Sequence, residues 1–528
     1  MLLREKNKLN QIWKVYNELI GKAKSDKNKI NSLLIDNEEI SGKSNISNAF
    51  NEYFASIGNK LGENFTNNGE FKNYLNNPNL NSIYLETISE EEIKKEISKL
   101  VNKKTPGNDD IPAWLVKLSS NFIAQPLSWI FNKSIENGHV PSQLKISKII
   151  PIYKKGDKKC PSNYRPISLL SIFNKILEKL IYKRLYEFLN KFNILYNYQF
   201  GFRRNHSTML ALTELSTKIR ELTESNNYTI GIYLDLSKAF DTVNHDILIY
   251  KLNYYGIRGK ALNWLISYLK NRQLTTYVNQ TYSNLKISNI GVPQGSVLGP
   301  LLFLIYVNDI FKIIDPRSNE EIRLFADDTN IFITNNSLNQ TFKQAQLTLN
   351  KISNWFKNNQ LTLNIEKTSF SLFTNKTNVN NSNRLKVNGK EISQVHSTKY
   401  LGLYLDDQLK WTKHSLHVKN KLNQLTGALR YLTKFINNEQ AKTIYYAYIH
   451  PHIQYGLENY GQSNLKNTKI IQTAQNKALK ILFKKDPLFN TTELYRETQL
   501  LNVNSLKDHL TLKFEFKQRN NQTLLWPT

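Results

Sequence analysis

The chain has 528 residues, 40% of them hydrophobic, which is enough for real cores and more than a single ordinary domain needs. Lysine and arginine total 71 against 43 aspartate and glutamate, a formal charge of +28, and such an excess favours a polyanionic partner, nucleic acid first, through counterion release. Cys160 is the single cysteine, which excludes intrachain disulfides and cysteine-based zinc sites and fits a reducing intracellular compartment.

An anionic membrane would attract the same charge. Against it, the N-terminus Met1–Asn10 is too charged for a signal peptide, and the longest apolar stretch, around Leu298–Val307, is too short to span a bilayer. His414 and His417, and His450 and His452 around Pro451, lack the spacing of a metal site and read as helix or surface histidines.

Residues 1–90 hold short helical patterns such as Ile46–Phe54, followed by the amphipathic segment Ser89–Val101. From Ser168 to Asn190, Leu169, Ile172, Phe173, Ile176, Leu177, Leu180, Ile181, Leu185 and Phe188 recur with the period of a helix burying one face. Tyr228–Asp235 reads as a short buried strand and Gly291–Gly299 as a loop. Ser296–Asp309 reads as an apolar helix, and Leu324–Ile333 as two strand halves around a tight turn. Thr443–Tyr448 and Ile470–Leu482 return to helical spacing. Asparagine clusters at Asn67–Asn81 and Thr374–Asn383 lack apolar periodicity and read as loops. Helices alternating with short strands indicate an α+β protein.

Two acidic sites stand at the ends of apolar runs: Asp235 in Tyr-Leu-Asp-Leu and the pair Asp327 and Asp328 in Phe-Ala-Asp-Asp. Aspartate rarely sits there without a partner. If the two strands pair in one sheet, the three carboxylates meet, and they repel unless cations sit among them. Nucleotidyl transfer uses such a cluster: one magnesium activates a 3′-hydroxyl while a second, roughly 4 Å away, holds the triphosphate and leaving group. Hard oxygen ligands suit magnesium, with manganese as the alternative. An Asp-Asp turn alone is equally explained by aspartate being a good turn residue.

In this setting the sequence resembles the reverse transcriptases of non-LTR retrotransposons, particularly the jockey-like elements of animals. The likeness runs from Ile149 to Trp411 with the motifs in the family's order. They are Ile-Ile-Pro-Ile-Tyr-Lys-Lys-Gly-Asp (149–157), Asn-Tyr-Arg-Pro-Ile-Ser-Leu-Leu (163–170), Gln-Phe-Gly-Phe-Arg-Arg-Asn-His-Ser-Thr (199–208) and Leu-Asp-Leu-Ser-Lys-Ala-Phe-Asp-Thr-Val (234–243). Gly-Val-Pro-Gln-Gly-Ser-Val-Leu-Gly-Pro (291–300), Phe-Ala-Asp-Asp (325–328), Leu-Thr-Leu-Asn-Ile-Glu-Lys-Thr (361–368) and Lys-Tyr-Leu-Gly (399–402) follow.

The resemblance implies a right-hand polymerase fold with helical N- and C-terminal flanks. It divides the chain into an N-terminal helical linker region (1–95), fingers (96–227), palm with primer grip (228–405), helical thumb (406–485) and a C-terminal extension (486–528), with the reverse transcriptase domain as a whole over 130–405. It makes Asp235, Asp327 and Asp328 the metal-binding triad for two magnesium ions, with the carbonyl of Leu236 a further ligand. Lys154 and Arg165 would grip the β- and γ-phosphates. Phe240 would be an aromatic steric gate against the 2′-hydroxyl, although from the residues alone it reads as one more core aromatic. Gln294 would lie beside the incoming nucleotide, with Gly295 allowing close backbone approach. Lys367 would donate a proton to pyrophosphate. Arg203 and Arg204 would touch the template, and Tyr400, Leu401 and Gly402 would form the primer grip. Asp241 reads as a helix cap or turn residue.

The implied partners are an RNA template, a DNA primer and dNTPs, with the nucleus as the site of action; oligomeric state is left open. Nothing before residue 90 resembles the endonuclease that family members usually carry, and no cysteine-rich segment or ribonuclease H is recognisable. The expectation is a truncated copy whose target nick comes from a separate endonuclease. Other readings stand beside this one: a catalytically idle relic that only binds RNA, an RNA-directed RNA polymerase, against which Phe240 argues, and a group II intron maturase or telomerase-like relative, which Phe-Ala-Asp-Asp among these neighbours fits less well.

Overall fold

The computed structural model describes residues 29–62, 69–102, 105–224, 227–315, 317–376, 382–462 and 465–521, together with 17, 18 and 379. The charged start Met1–Asn10 lies outside the described residues, as do parts of the two asparagine-rich segments; the first of these is not all loop, since Glu70–Tyr74 forms a 3₁₀ helix that buries Phe71.

A hairpin pairs β1 (Ile146–Tyr153) antiparallel with β2 (Tyr164–Leu169), with Ile152 opposite Arg165. Helix α1 (Ile172–Lys191) follows, capped by Ser171, whose hydroxyl accepts from the N–H of Phe173. The helix expected from Ser168 therefore starts four residues later. Ser168 and Leu169 carry apolar periodicity but are claimed by the ladder to β1, where Leu169 faces Lys148. Strand β3 (Tyr228–Leu234) comes next, then β4 (Arg272–Val278), which runs parallel to β1 and joins the smaller sheet.

The apolar run forms α2 (Leu298–Val307), continued by a 3₁₀ turn over Asn308–Ile313. It is hydrophobic all round and Leu301, Leu302, Phe303, Leu304 and Ile305 are fully buried, as a helix inside a core must be. Strands β5 (Glu320–Phe325) and β6 (Asp328–Asn335) form the expected hairpin, and α3 (Leu338–Asn358) leads to β7 (Ser369–Phe373) and β8 (Ser393–Gln394). The central sheet has the order β8-β7-β3-β6-β5, antiparallel except for β7 with β8.

Strand β3 is buried on both faces, so its alternation separates two cores. Ile230, Ile232 and Leu234 belong to the core around α1, α2 and α3, while Tyr233 joins Phe332 and Phe373 in a second core. That second core continues under the hairpin β9 (Ser397–Tyr400) and β10 (Leu403–Asp406) into α4 (Thr412–Leu432), α5 (Leu465–Leu482) and α6 (Val503–Asn521). Helices α4 and α5 pack along each other through Leu422, Leu425, Leu429, Ile471 and Leu479. The helical segment expected at Thr443–Tyr448 straddles a helix ending at Ile444 and a π turn over Tyr445–Ile449. The chain is α+β, and among the described residues no helix is long and apolar enough to cross a membrane.

Candidate active site

Register brings the acidic sites together. Strands β3 and β6 pair with Thr329 opposite Leu234, so one further step sets Asp328 opposite Asp235. Asp327 occupies the turn between β5 and β6, after Ala326, whose φ is +57°. Beyond Asp235 the chain bonds to the segment before β7: Asn364 N–H donates to the Asp235 carbonyl at 2.8 Å, and Ser237 N–H to that of Thr362 at 2.9 Å. Leu236 bridges Leu363 in the same stretch. This pairing delivers Lys367, whose ammonium lies 3.6 Å from the Asp235 carboxylate.

The three aspartates line one open cavity of roughly 700 Å³, and so do Leu236, Phe240, Gln294 and Lys367. Lys154 and Arg165 line it from the β1–β2 hairpin, where Lys154 N–H donates to Asn163 O at 2.9 Å and so closes the hairpin over the aspartates.

Electrostatics in the cavity follow from crowding. Asp328 is open to water but sits in a concave surface; that desolvation, with Asp327 and Asp235 beside it, pushes its carboxyl up to about 6. Asp327 is raised as well, by desolvation, with Asp235 adding to the effect and Arg165 and Lys154 opposing it. Lys154 is lowered by desolvation and by the cations Arg165 and Lys367. Carboxylates that penalise one another's charge are a donor set that divalent cations suit. As their side chains stand, no three acidic, histidine or cysteine groups among the described residues converge on a common point. The backbone register supplies the adjacency of Asp235 and Asp328, with Asp327 in the turn beside them.

Gln294 sits on the loop before α2. Its carbonyl accepts from Ser168 N–H at 2.7 Å, seating the loop on the end of β2. Gly295 has φ +110°, and a Cβ there would lie 2.8 Å from the Ser168 carbonyl, so the approach needs glycine. The loop is anchored from beneath by Glu178 of α1. This fully buried carboxylate accepts from the N–H of Val297 and from the Tyr268 hydroxyl.

Asp241 is a turn residue, its N–H donating to Lys238 O at 2.8 Å, and not a helix cap. Asn244 caps the following helix, accepting from Ile247 N–H, and the Asp241 carboxylate instead accepts from the Gln294 amide. Lys238, which was not singled out in the sequence, also lines the cavity and ties the Asp235 segment to the hairpin by donating to the carbonyls of Ser162 and Tyr164.

The remaining residues fall at the margins. Arg203 turns inward, with Nη1 donating to Tyr196 O at 2.7 Å, whereas Arg204 is exposed and lies over the rings of Tyr182 and Tyr186. Tyr400 is buried, and Leu401 and Gly402, with φ +43° and +90°, make the β9–β10 turn. The Leu401 carbonyl accepts from Tyr455 Oη at 2.6 Å.

An antiparallel sheet that gathers three aspartates under a basic hairpin defines a polymerase-type α+β fold. Residues 152–405, a little under half of the chain, match the family described as reverse transcriptase (RNA-dependent DNA polymerase), and that segment carries the whole lining of the cavity. It is similar to the probable RNA-directed DNA polymerase from transposon BS of Drosophila melanogaster, 30% identical over 85% of this chain and 51% of the relative. It is equally similar to the RNA-directed DNA polymerase from mobile element jockey of the same species, at 30% over 76% of this chain and 45% of the relative. A third relative, the Pol polyprotein of the type-1 retrotransposable element R2 from Popillia japonica, is 30% identical over 41% of this chain and 29% of its own length. The chain thus resembles the jockey-like non-LTR retrotransposon enzymes, and it spans about half the length of these two curated Drosophila relatives.

Proposed function

We propose that the chain is an RNA-directed DNA polymerase that extends a DNA primer on an RNA template with dNTPs. The observation that carries this is the register of β3 against β6, which sets Asp235 opposite Asp328 in the cavity shared with Lys154 and Arg165.

Asp235, Asp327, Asp328 and the carbonyl of Leu236 would hold two divalent cations, magnesium by the hardness of their oxygens. When bound, such ions supply activation of the primer 3′-hydroxyl and neutralisation of the triphosphate. Arg165 and Lys154 bind the β- and γ-phosphates from the hairpin, the first through a planar fork and the second as a point charge. Lys367 holds a proton beside Asp235 for the departing pyrophosphate. Gln294 and Gly295 line the nucleotide, and Phe240 excludes the 2′-hydroxyl. Arg204 contacts the template backbone, and the Tyr400–Gly402 turn guides the primer. In this reading residues 96–227 act as fingers, 228–405 as palm and 406–485 as thumb. The chain then acts in the nucleus, at chromosomal DNA, on a nick made by a separate endonuclease.

Primer extension with magnesium and dNTPs tests the reading. Asp327→Ala and Asp328→Ala are expected to abolish synthesis while RNA binding, measured by filter retention, stays intact. Efficient use of NTPs by the unaltered chain would overturn it.

A further inference from the structure

Gln199 lies in the segment from Tyr196 to Arg204 and is only 2% exposed. Its neighbours dock on the edge of β5: Phe200 N–H donates to Leu324 O at 2.8 Å, and Leu324 N–H to Tyr198 O at 3.0 Å. Its side chain reaches further along the same edge. Oε1 accepts from Gly201 N–H at 2.8 Å and from Ala326 N–H at 3.0 Å.

Ala326 is the residue before Asp327, and its φ of +57° is a conformation that a residue with a Cβ adopts only at a cost. Something must hold it there, since the direction in which Asp327 and Asp328 leave the turn follows from that dihedral. The segment is also pressed against the turn, because a Cβ on Gly201 would lie 2.3 Å from Ala326 N. On its far side Phe202 meets the ring of Phe240 edge-on, with centroids 6.1 Å apart.

We infer that Gln199 is a positioning residue: its carboxamide oxygen fixes the left-handed backbone of Ala326, and thereby sets the Asp327–Asp328 turn against the Gly201–Arg204 segment. This rests on the catalytic reading of the turn proposed above. Nε2 of Gln199 has no hydrogen-bond partner among the described residues. Methionine, similar in length, therefore removes the acceptor and an unpaired donor together, so it loosens the turn more than it disturbs the core.

The test pairs amide hydrogen exchange across Phe325–Thr329 with steady-state primer extension, on the full chain and on Gln199→Met and Gln199→Glu. Gln199→Met is expected to speed exchange at the turn and to lower kcat roughly 100-fold. The KM for dNTP stays within about twofold, as for a group that acts on the transition state alone. Gln199→Glu keeps an oxygen that can accept from both the Gly201 and the Ala326 N–H and is expected to restore protection of the turn and most of kcat. Unchanged exchange in Gln199→Met overturns the inference, and so does unchanged kcat in an active background. If the unaltered chain makes no DNA while exchange still responds, the catalytic reading fails and the positional role of Gln199 stands.

Discussion

The side-chain amide of Gln294 donates to both carboxylate oxygens of Asp241, at 2.9 and 3.0 Å. An amide held on both oxygens of one carboxylate cannot spin about its terminal torsion, so Asp241 sets which face of Gln294 meets the cavity. Asp241→Leu is expected to raise the KM for dNTP about tenfold, the worth of a charge-assisted bond, with a smaller fall in kcat. Asp241→Asn retains one acceptor and should lie between the two. Primer extension over a range of dNTP concentrations checks this, and an unaltered KM in Asp241→Leu would show that Gln294 is oriented by something else.

The meeting of Asp235 with Asp327 and Asp328 in one cavity was legible in the sequence because both acidic sites end apolar runs, and antiparallel pairing of two such strands leaves little choice of register. The turn at Asp241 was legible too, but its bond to Gln294 was not, since nothing local in Ala-Phe-Asp separates a capping or turn carboxylate from one that also reaches across space. The same holds for Gln199: its motif marked a family segment, but its bond to Ala326 N–H depends on a left-handed turn 127 residues away. The smaller sheet also escaped, because β4 pairs in parallel with β1 across a long connection, and such pairing has no local signature. Ser168 misled for a related reason: helical spacing in Leu169 and Ile172 is compatible with a strand followed at once by a capped helix.

Lys251 and Asp309 form an ion pair with both side chains fully buried. The ammonium also donates to Tyr306 O at 2.6 Å, and the carboxylate accepts from Trp355 Nε1 at 3.0 Å, so the pair knits α2 and α3 behind the central sheet. Lys251→Met strands a charge in the core and is expected to cost about 3–5 kcal/mol. Adding Asp309→Leu to it removes the stranded charge and should recover much of that loss. Urea unfolding measures both; a double variant no more stable than Lys251→Met would contradict the account.

His414 is buried between Trp411 and Tyr460 at the base of α4. Desolvation, with the nearby His417 and Lys399, lowers its pKa from 6.5 to about 4. The folded chain keeps the ring neutral to about pH 4, whereas the unfolded chain takes up the proton near pH 6.5. Acidification across that window therefore favours unfolding, by at most about 3 kcal/mol once complete. His414→Gln should flatten this part of the stability profile, which thermal melts between pH 7 and 4 would read. A slope identical in the variant would assign it to other groups.

Phe240 stacks on Phe303 at 4.7 Å, and Phe303 is fully buried in the first core. Phe202 closes on its edge, so the ring is braced on two sides at the cavity wall, and under the proposed function it would be held against the nucleotide sugar. In that proposed role a 2′-hydroxyl would meet a packed aromatic, which yields little, as interiors do. Phe240→Ala is expected to raise use of NTPs relative to dNTPs by on the order of 100-fold, the discrimination that excluding one hydroxyl by shape affords. Single-nucleotide incorporation on an RNA template, run with each nucleotide class, provides the ratio. If Phe240→Ala loses synthesis of every kind without a change in that ratio, the ring is a support for Phe303, and the choice of sugar is made elsewhere in the cavity.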